Sequence, residues 1–131
     1  AVGYSGTVLT SSDGTSWTFT TSGISNYLRG ITHGNSTFVA VGQSGTILTS
    51  SDGTSWTSTT SGISNYLRGI IYGNSTFVAV GDSGTILTSS DGTSWTSTTS
   101  GTSKNYWGIT HGNSTFVVVG QSGTILTSSD G

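Results

Sequence analysis

"TSSDGTSWT" runs from Thr10 to Thr18 and returns letter for letter at Thr49–Thr57 and at Thr88–Thr96. A fourth copy begins at Thr127 and reads "TSSDG" to Gly131. The flanking sequence repeats as well: "AVGYSGTVLTSSDG" starts at Ala1, "AVGQSGTILTSSDG" at Ala40, "AVGDSGTILTSSDG" at Ala79 and "VVGQSGTILTSSDG" at Val118. The period is 39 residues, and three periods leave 14 residues over, so Val118–Gly131 duplicates Ala1–Gly14. A period of this size points to a solenoid, a propeller or an array. Copies this alike imply recent amplification or deliberate construction.

Local pattern decides among these architectures. In "STFVAVG" (Ser36–Gly42), Phe38 and Ala40 face one way and Val39 and Val41 the other, as in a strand buried on both faces. "GTILTSS" (Gly45–Ser51) is rich in β-branched residues and reads as a second strand. "TSWTSTT" (Thr54–Thr60) and "NYLRGITHG" (Asn26–Gly34) complete a set of four. No apolar spacing of 3.6 appears, and glycine-containing turns ("GNS", "GQSG", "DG") separate the strands. The Asp-Gly pair predicts a two-residue hairpin in which Ser12 faces Thr15 and Thr10 faces Trp17, with Trp17 on the face of Val8 and Thr10. Four short antiparallel strands every 39 residues describe a β-propeller blade. The expected fold is therefore all-β.

Composition excludes several functions. Only 6% of the 131 residues are charged, against about 25% in an ordinary soluble protein. A net charge of -2 does not make a nucleic-acid footprint. The chain has no Cys, hence no disulfide framework and no thiolate metal site. No apolar run approaches the roughly 20 residues of a membrane helix, so no membrane insertion is expected. The opening "AVGYSGT" lacks a Met and a charged leader, which fits a processed chain or an excised fragment.

The repeated stretch resembles the Asp-box, or BNR, repeat of sialidase-like propellers. It looks closest to bacterial and photosystem-assembly-factor-like propellers, in which a Ser/Thr-rich "TxDGG-TW" motif follows a "VAVG–G-IL-T" strand pair. The resemblance covers every repeat, with the aromatic four residues after the aspartate instead of the family's usual five. It implies that Asp13, Asp52, Asp91 and Asp130 brace turns, and that Trp17, Trp56 and Trp95 wedge between neighbouring blades. It also sets the strand order from inner to outer. By that order Ile24–Gly62 and Ile63–Gly101 are whole blades, while 1–23 lacks an inner strand and 102–131 lacks an outer one. Each chain then holds about three blades, to be completed by oligomerisation. A dimer closing six blades is favoured over a trimer or a fibre, because propellers close with 4–8 blades.

Three functions compete. Glycoside hydrolysis needs paired carboxylates or, in sialidases, an arginine cluster with a Tyr nucleophile. The chain has no Glu, four of its five Asp sit in the repeated turn, and the fifth, Asp82, lies in a loop. No catalytic residue, metal site or cofactor is assigned. A carbohydrate- or anion-binding reading draws on the equivalent positions Arg29, Arg68 and Trp107, and on His33, Tyr72 and His111 four residues further on. Spacing of four predicts that each pair shares a strand face, from which it would line a central channel. Asn35, Asn74 and Asn113 each open an "NST" sequon, a glycosylation acceptor at a turn. The leading reading is structural: a self-assembling module of an extracellular or cell-surface protein, whose main partner is itself.

Overall fold

The computed structural model describes all 131 residues as antiparallel strands joined by turns, with no α-helix. Thirteen strands form four separate sheets stacked in sequence order. The first contains β1 (Thr7–Thr10) and β2 (Thr18–Thr21). An isolated bridge of Val2 to Val8 extends it. The second sheet runs β3 (Leu28–Gly34), β4 (Thr37–Gly42), β5 (Ile47–Ser50) and β6 (Thr57–Thr59). The third repeats it with β7 (Leu67–Gly73), β8 (Thr76–Gly81), β9 (Thr85–Ser89) and β10 (Thr96–Thr99). The fourth has three strands, β11 (Tyr106–Gly112), β12 (Thr115–Gly120) and β13 (Ile125–Ser128).

The apolar alternation of β4, β8 and β12 explains the stacking. Val39, Val41 and Ile47 of the second sheet meet Phe77, Ala79 and Leu87 of the third in one buried cluster. One residue along, Val78 and Val80 leave the third sheet by its other face and meet Tyr106, Phe116 and Val118 of the fourth. Val8 packs likewise on Leu28, Ala40 and Leu48. Each middle sheet thus buries both faces, and shifting a strand by one residue would exchange the two sets.

The edge strands β3, β7 and β11, the first strands of their sheets, pack closest across the stack, through glycine. The ring of Tyr72 lies over Gly34, and that of His111 over Gly73, where any side chain would overlap the ring. Backbone also approaches backbone at Gly30 and Gly69, whose Cα faces Gly108.

Two local expectations fail. Thr10 pairs with Thr18, not Trp17, and the same register recurs as Thr49 with Thr57 and Thr88 with Thr96. The connection is therefore a seven-residue loop, Ser11–Trp17, because side-chain oxygens capture the amides that a two-residue hairpin would use. Trp56 and Trp95 consequently lie on the side of Ala40 and Leu48, and of Ala79 and Leu87, opposite to that predicted from Val8 and Thr10. Second, the ladder shifts between Leu28 and Gly30, between Leu67 and Gly69, and between Tyr106 and Gly108. Arg29, Arg68 and Trp107 are the inserted residues, so strict two-residue alternation does not carry them onto the face of His33, Tyr72 and His111.

The turn between second and third strands is a three-residue 3-10 element with a serine in the left-handed region: Ser5, Ser44, Ser83 and Ser122 have φ of 51° to 59°. The following Gly84 has φ +73°, and a Cβ there would run into the Thr102 carbonyl oxygen. Gly62, at φ +77°, has no atom within 4 Å of where its Cβ would stand. We expect Gly62→Ala to cost about 1 kcal/mol, the left-handed penalty alone, and Gly84→Ala about 2–4 kcal/mol. Urea unfolding midpoints of the two variants test this; equal losses would refute the steric account.

Candidate functional site

Three constellations carry the candidate chemistry: the repeated loop, a rim at one end of β3, β7 and β11, and the two outward faces of the stack. In the loop, Ser11 Oγ accepts from the amides of Asp13 and Gly14 at 3.3 and 2.8 Å and donates to Asp13 Oδ1 at 3.0 Å. Asp13 Oδ1 also accepts from the amides of Thr15 and Ser16, both at 2.8 Å. Trp17 Nε1 donates to the Gly14 carbonyl at 3.2 Å. Asp52 and Asp91 accept in the same way from Thr54 and Ser55 and from Thr93 and Ser94. Trp56 and Trp95 close onto Gly53 and Gly92. Asp130 differs: Ser128 Oγ donates to it at 2.7 Å, but no backbone amide does.

These bonds favour the ionised form. The amides of Ser16 and then Thr15 hold the Asp13 carboxyl well below the ordinary value of 3.8. Ser55 and Thr54 do so for Asp52, and Ser94 and Thr93 for Asp91. In all three the bonded oxygen is Oδ1, so one oxygen of each carboxylate is committed to the loop. No three His, Cys, Asp or Glu side chains come together as a metal site.

At the rim, Arg68 forms a two-pronged ion pair with Asp82: Nε donates to Oδ1 at 2.5 Å and the second nitrogen to Oδ2 at 3.0 Å. The Asp82 hydrogen bond raises the Arg68 pKa further above its ordinary value. Its guanidinium lies 4.6 Å from the Trp107 ring centroid and 5.9 Å from that of Tyr66. Arg29 stands 5.6 Å over Tyr4, which meets Tyr27 edge-on at 4.7 Å. Its repeat-equivalent of Asp82 is Gln43, so it has no carboxylate. Residue types alone give no sign of this pairing; the signal is the single change from Gln to Asp fourteen residues after an arginine.

The second row separates from the first. His33, Tyr72 and His111 sit four residues further along, beside the Asn-Ser turns, with ring centroids 4.4, 4.6 and 4.5 Å from Phe38, Phe77 and Phe116. Tyr72 and His111 cover the glycines of the preceding sheet, so these two rings are packing elements. His111 Nε2 and Tyr106 Oη are buried without a hydrogen-bond partner. The rim and the aromatic row do not converge on one site.

At the sequons, Asn35, Asn74 and Asn113 and the serines after them all have positive φ, as a tight hairpin requires. Asn74 Nδ2, the atom a glycan would take, donates to the Ser129 carbonyl at 3.0 Å and the Ser114 carbonyl at 3.4 Å across the gap between sheets.

The outward faces of the stack are apolar. Val119 is 46% and Ile125 66% exposed, whereas the equivalent Val41 and Ile47 are fully buried. At the other end Trp17 is 50% and Phe19 66% exposed. A cavity of about 340 Å³ opens between the third and fourth sheets, lined by Val78, Ile86, Ile109, Phe116, Leu126 and Asp130 among others. Its counterpart one interface earlier is occupied by Trp95. No protein-family model matches the chain, and comparison with curated proteins finds no match.

A depressed folded-state pKa stabilises the fold above the ordinary value of 3.8 and ceases to do so as pH falls toward the depressed value. The side-chain carboxyl signals of Asp13, Asp52 and Asp91 should therefore show no NMR titration step between about pH 5 and about pH 3 while the chain stays folded. A step near 3.8 at all three would show that the amide bonds are not made.

Proposed function

We propose that the chain is a non-catalytic propeller-repeat module of the Asp-box type whose function is assembly with copies of itself. The observation that supports this most is the mismatch between inner and outer sheets. Val119 and Ile125 stand open on one outward face although their equivalents Val41 and Ile47 are fully buried, and Trp17 and Phe19 stand open on the other. Apolar surface of this kind marks an interaction site. With a net charge of -2 there is little repulsion to keep copies apart. Four stacked sheets of two, four, four and three strands correspond, in this reading, to two whole blades and two incomplete ones. Six blades in a dimer would close a ring, and an extracellular or surface protein is the setting such a module suits.

Light scattering at micromolar concentration should give a mass near twice 13.3 kDa. Replacing Val119 and Ile125 together by Lys should return the mass to that of one chain with little change in unfolding midpoint, since neither side chain is buried within the chain. A compact monomer at every concentration would defeat the reading. Pure protein should hydrolyse neither a sialoside nor an aryl glycoside. Turnover that disappears in Asp82→Ala would overturn the non-catalytic part.

A second reading, a glycan- or anion-binding rim, is favoured by one observation. Arg29 has no carboxylate and is flanked by the exposed Tyr4 and Tyr27. Arg68 is occupied by Asp82, so binding would centre on Arg29 and be lost in Arg29→Ala, with Arg68→Ala as the silent control.

A further inference from the structure

We infer that Asp13, Asp52 and Asp91 are latent sites of backbone isomerisation, each guarded by the serine two residues before it, so that an isoaspartyl link forms only when the loop opens. The reaction needs nothing but the chain and water. The amide nitrogen of the following glycine, losing its proton, attacks the aspartyl Cγ. The new C–N bond closes a five-membered succinimide, and one carboxyl oxygen departs as water. Water then adds back to the ring. Where it breaks the bond between the nitrogen and the original main-chain carbonyl carbon, the chain runs on through Cγ and that carbonyl becomes a free carboxylate. Glycine permits the attack because it has no side chain to obstruct it, and Gly14, Gly53 and Gly92 follow the three aspartates.

The folded loop withholds both reactants. Ser50 Oγ accepts from the Gly53 amide and Ser89 Oγ from the Gly92 amide, each at 2.8 Å, and both serines are only 5% exposed. Ser11 holds the Gly14 amide at the same distance. An amide that donates to such an acceptor keeps its proton and does not turn toward Cγ. The electrophile is held as well. Asp52 Oδ1 accepts from the amides of Thr54 and Ser55 at 2.7 and 2.8 Å, and Asp91 Oδ1 from those of Thr93 and Ser94, both at 2.8 Å. These bonds keep the carboxyl ionised, and a carboxylate has no hydroxyl to lose as water. One hydroxyl joins the two halves of the guard: Ser50 donates to Asp52 Oδ1 and Ser89 to Asp91 Oδ1, both at 3.0 Å.

Refolding does not undo the change. Isomerisation carries Cβ into the main chain and moves the carboxylate onto Cα, so the oxygen that collected two amides no longer stands between them. Trp56 and Trp95 are bonded to the Gly53 and Gly92 carbonyls of the same loops and pack against the buried clusters. Each event therefore loosens the anchor of one indole. The guard ties the chemical lifetime of the stack to how often a loop opens.

The nonapeptide is the same letter for letter in the three loops, so its intrinsic rate is a single value. Cleavage after Arg29, Arg68 and Lys104 places Asp13, Asp52 and Asp91 in three separate tryptic fragments. The full chain is aged at neutral pH, native or in guanidinium chloride, and isoaspartate in each fragment is counted by enzymatic methylation and by fragmentation in the mass spectrometer. In denaturant the three loops should isomerise at one common rate, and in the native chain each should be at least about tenfold slower. Ser50→Ala should raise the native rate at Asp52 about tenfold while Asp91 in the same molecule keeps the parent rate, and Ser89→Ala should do the reverse. Should these chains not fold, as the common denaturant rate at all loops would reveal, Ser11→Ala in the less buried first loop reads the same contrast at Asp13. Equal rates in the native and denatured parent overturn the inference. So does a folded serine variant whose own aspartate stays slow, or one in which all three rates rise by the same factor, since protection would then belong to the whole fold and not to the serine.

Discussion

A sheet that is apolar on both faces cannot stand alone, and the structure follows from that constraint. After their opening threonine, β4, β8 and β12 carry no polar side chain, so in β8 one face buries Phe77 and Ala79 while the other buries Val78 and Val80. Burial of each such side chain contributes about 1.5–3 kcal/mol relative to exposure. A sheet with a neighbour on one side only forgoes half of that. Stacking is hence the way the sequence forms a core at all, and it has no internal stop: the packing that joins the second sheet to the third would also join a third to a fourth. Glycines of β3 and β7 set how close the sheets come, since the rings of Tyr72 and His111 occupy the space where a Cβ would be.

The repeated loop solves a second problem, that of ordering long connections with few charges and no proline. Seven residues have amides that a two-residue turn would not expose. One serine oxygen and one carboxylate oxygen collect four of them in the first copy, and the indole N–H takes a carbonyl. Used in this way, the aspartate's charge is committed to local structure. In the aspartates that composition alone would offer for catalysis, at three of the four loops, one carboxylate oxygen is already taken by two main-chain donors.

The period, the four-strand pattern and the two-faced character are all legible in the sequence, because each depends on the order of apolar residues and on turn chemistry. The hairpin at Asp13-Gly14 is not. Its rule assumes that backbone bonds to backbone across the turn, and here the side chains of Ser11 and Asp13 compete for the amides and win. The relation of Arg29 to His33 is hidden too, because one inserted residue in the ladder cancels a two-residue period and leaves no mark in composition. The role of Asp82 emerges only on asking which residue lies beside an arginine across a hairpin that closes at Gly73 and Thr76. Of the candidate site residues, the loop positions are readable from the sequence; the rim requires coordinates.

Near-identity of the copies has a thermodynamic consequence. When two segments carry the same residues at the same register, whatever pairing and packing one gives up the other restores in kind, so exchanging one for the other is close to neutral. What then decides the partner is the small set of positions where copies differ and the number of faces each arrangement buries. Phe19 is one such position, with serine at the equivalent Ser58 and Ser97, and within its own chain it stands exposed opposite Leu9. Asp82 and Trp107 are others, and they fix the third and fourth sheets to each other through Arg68, which neither Gln43 nor Gln121 could do by charge. The departures at Asp82 and Trp107 therefore fall at a joint, where they tie the fourth sheet to the third through Arg68.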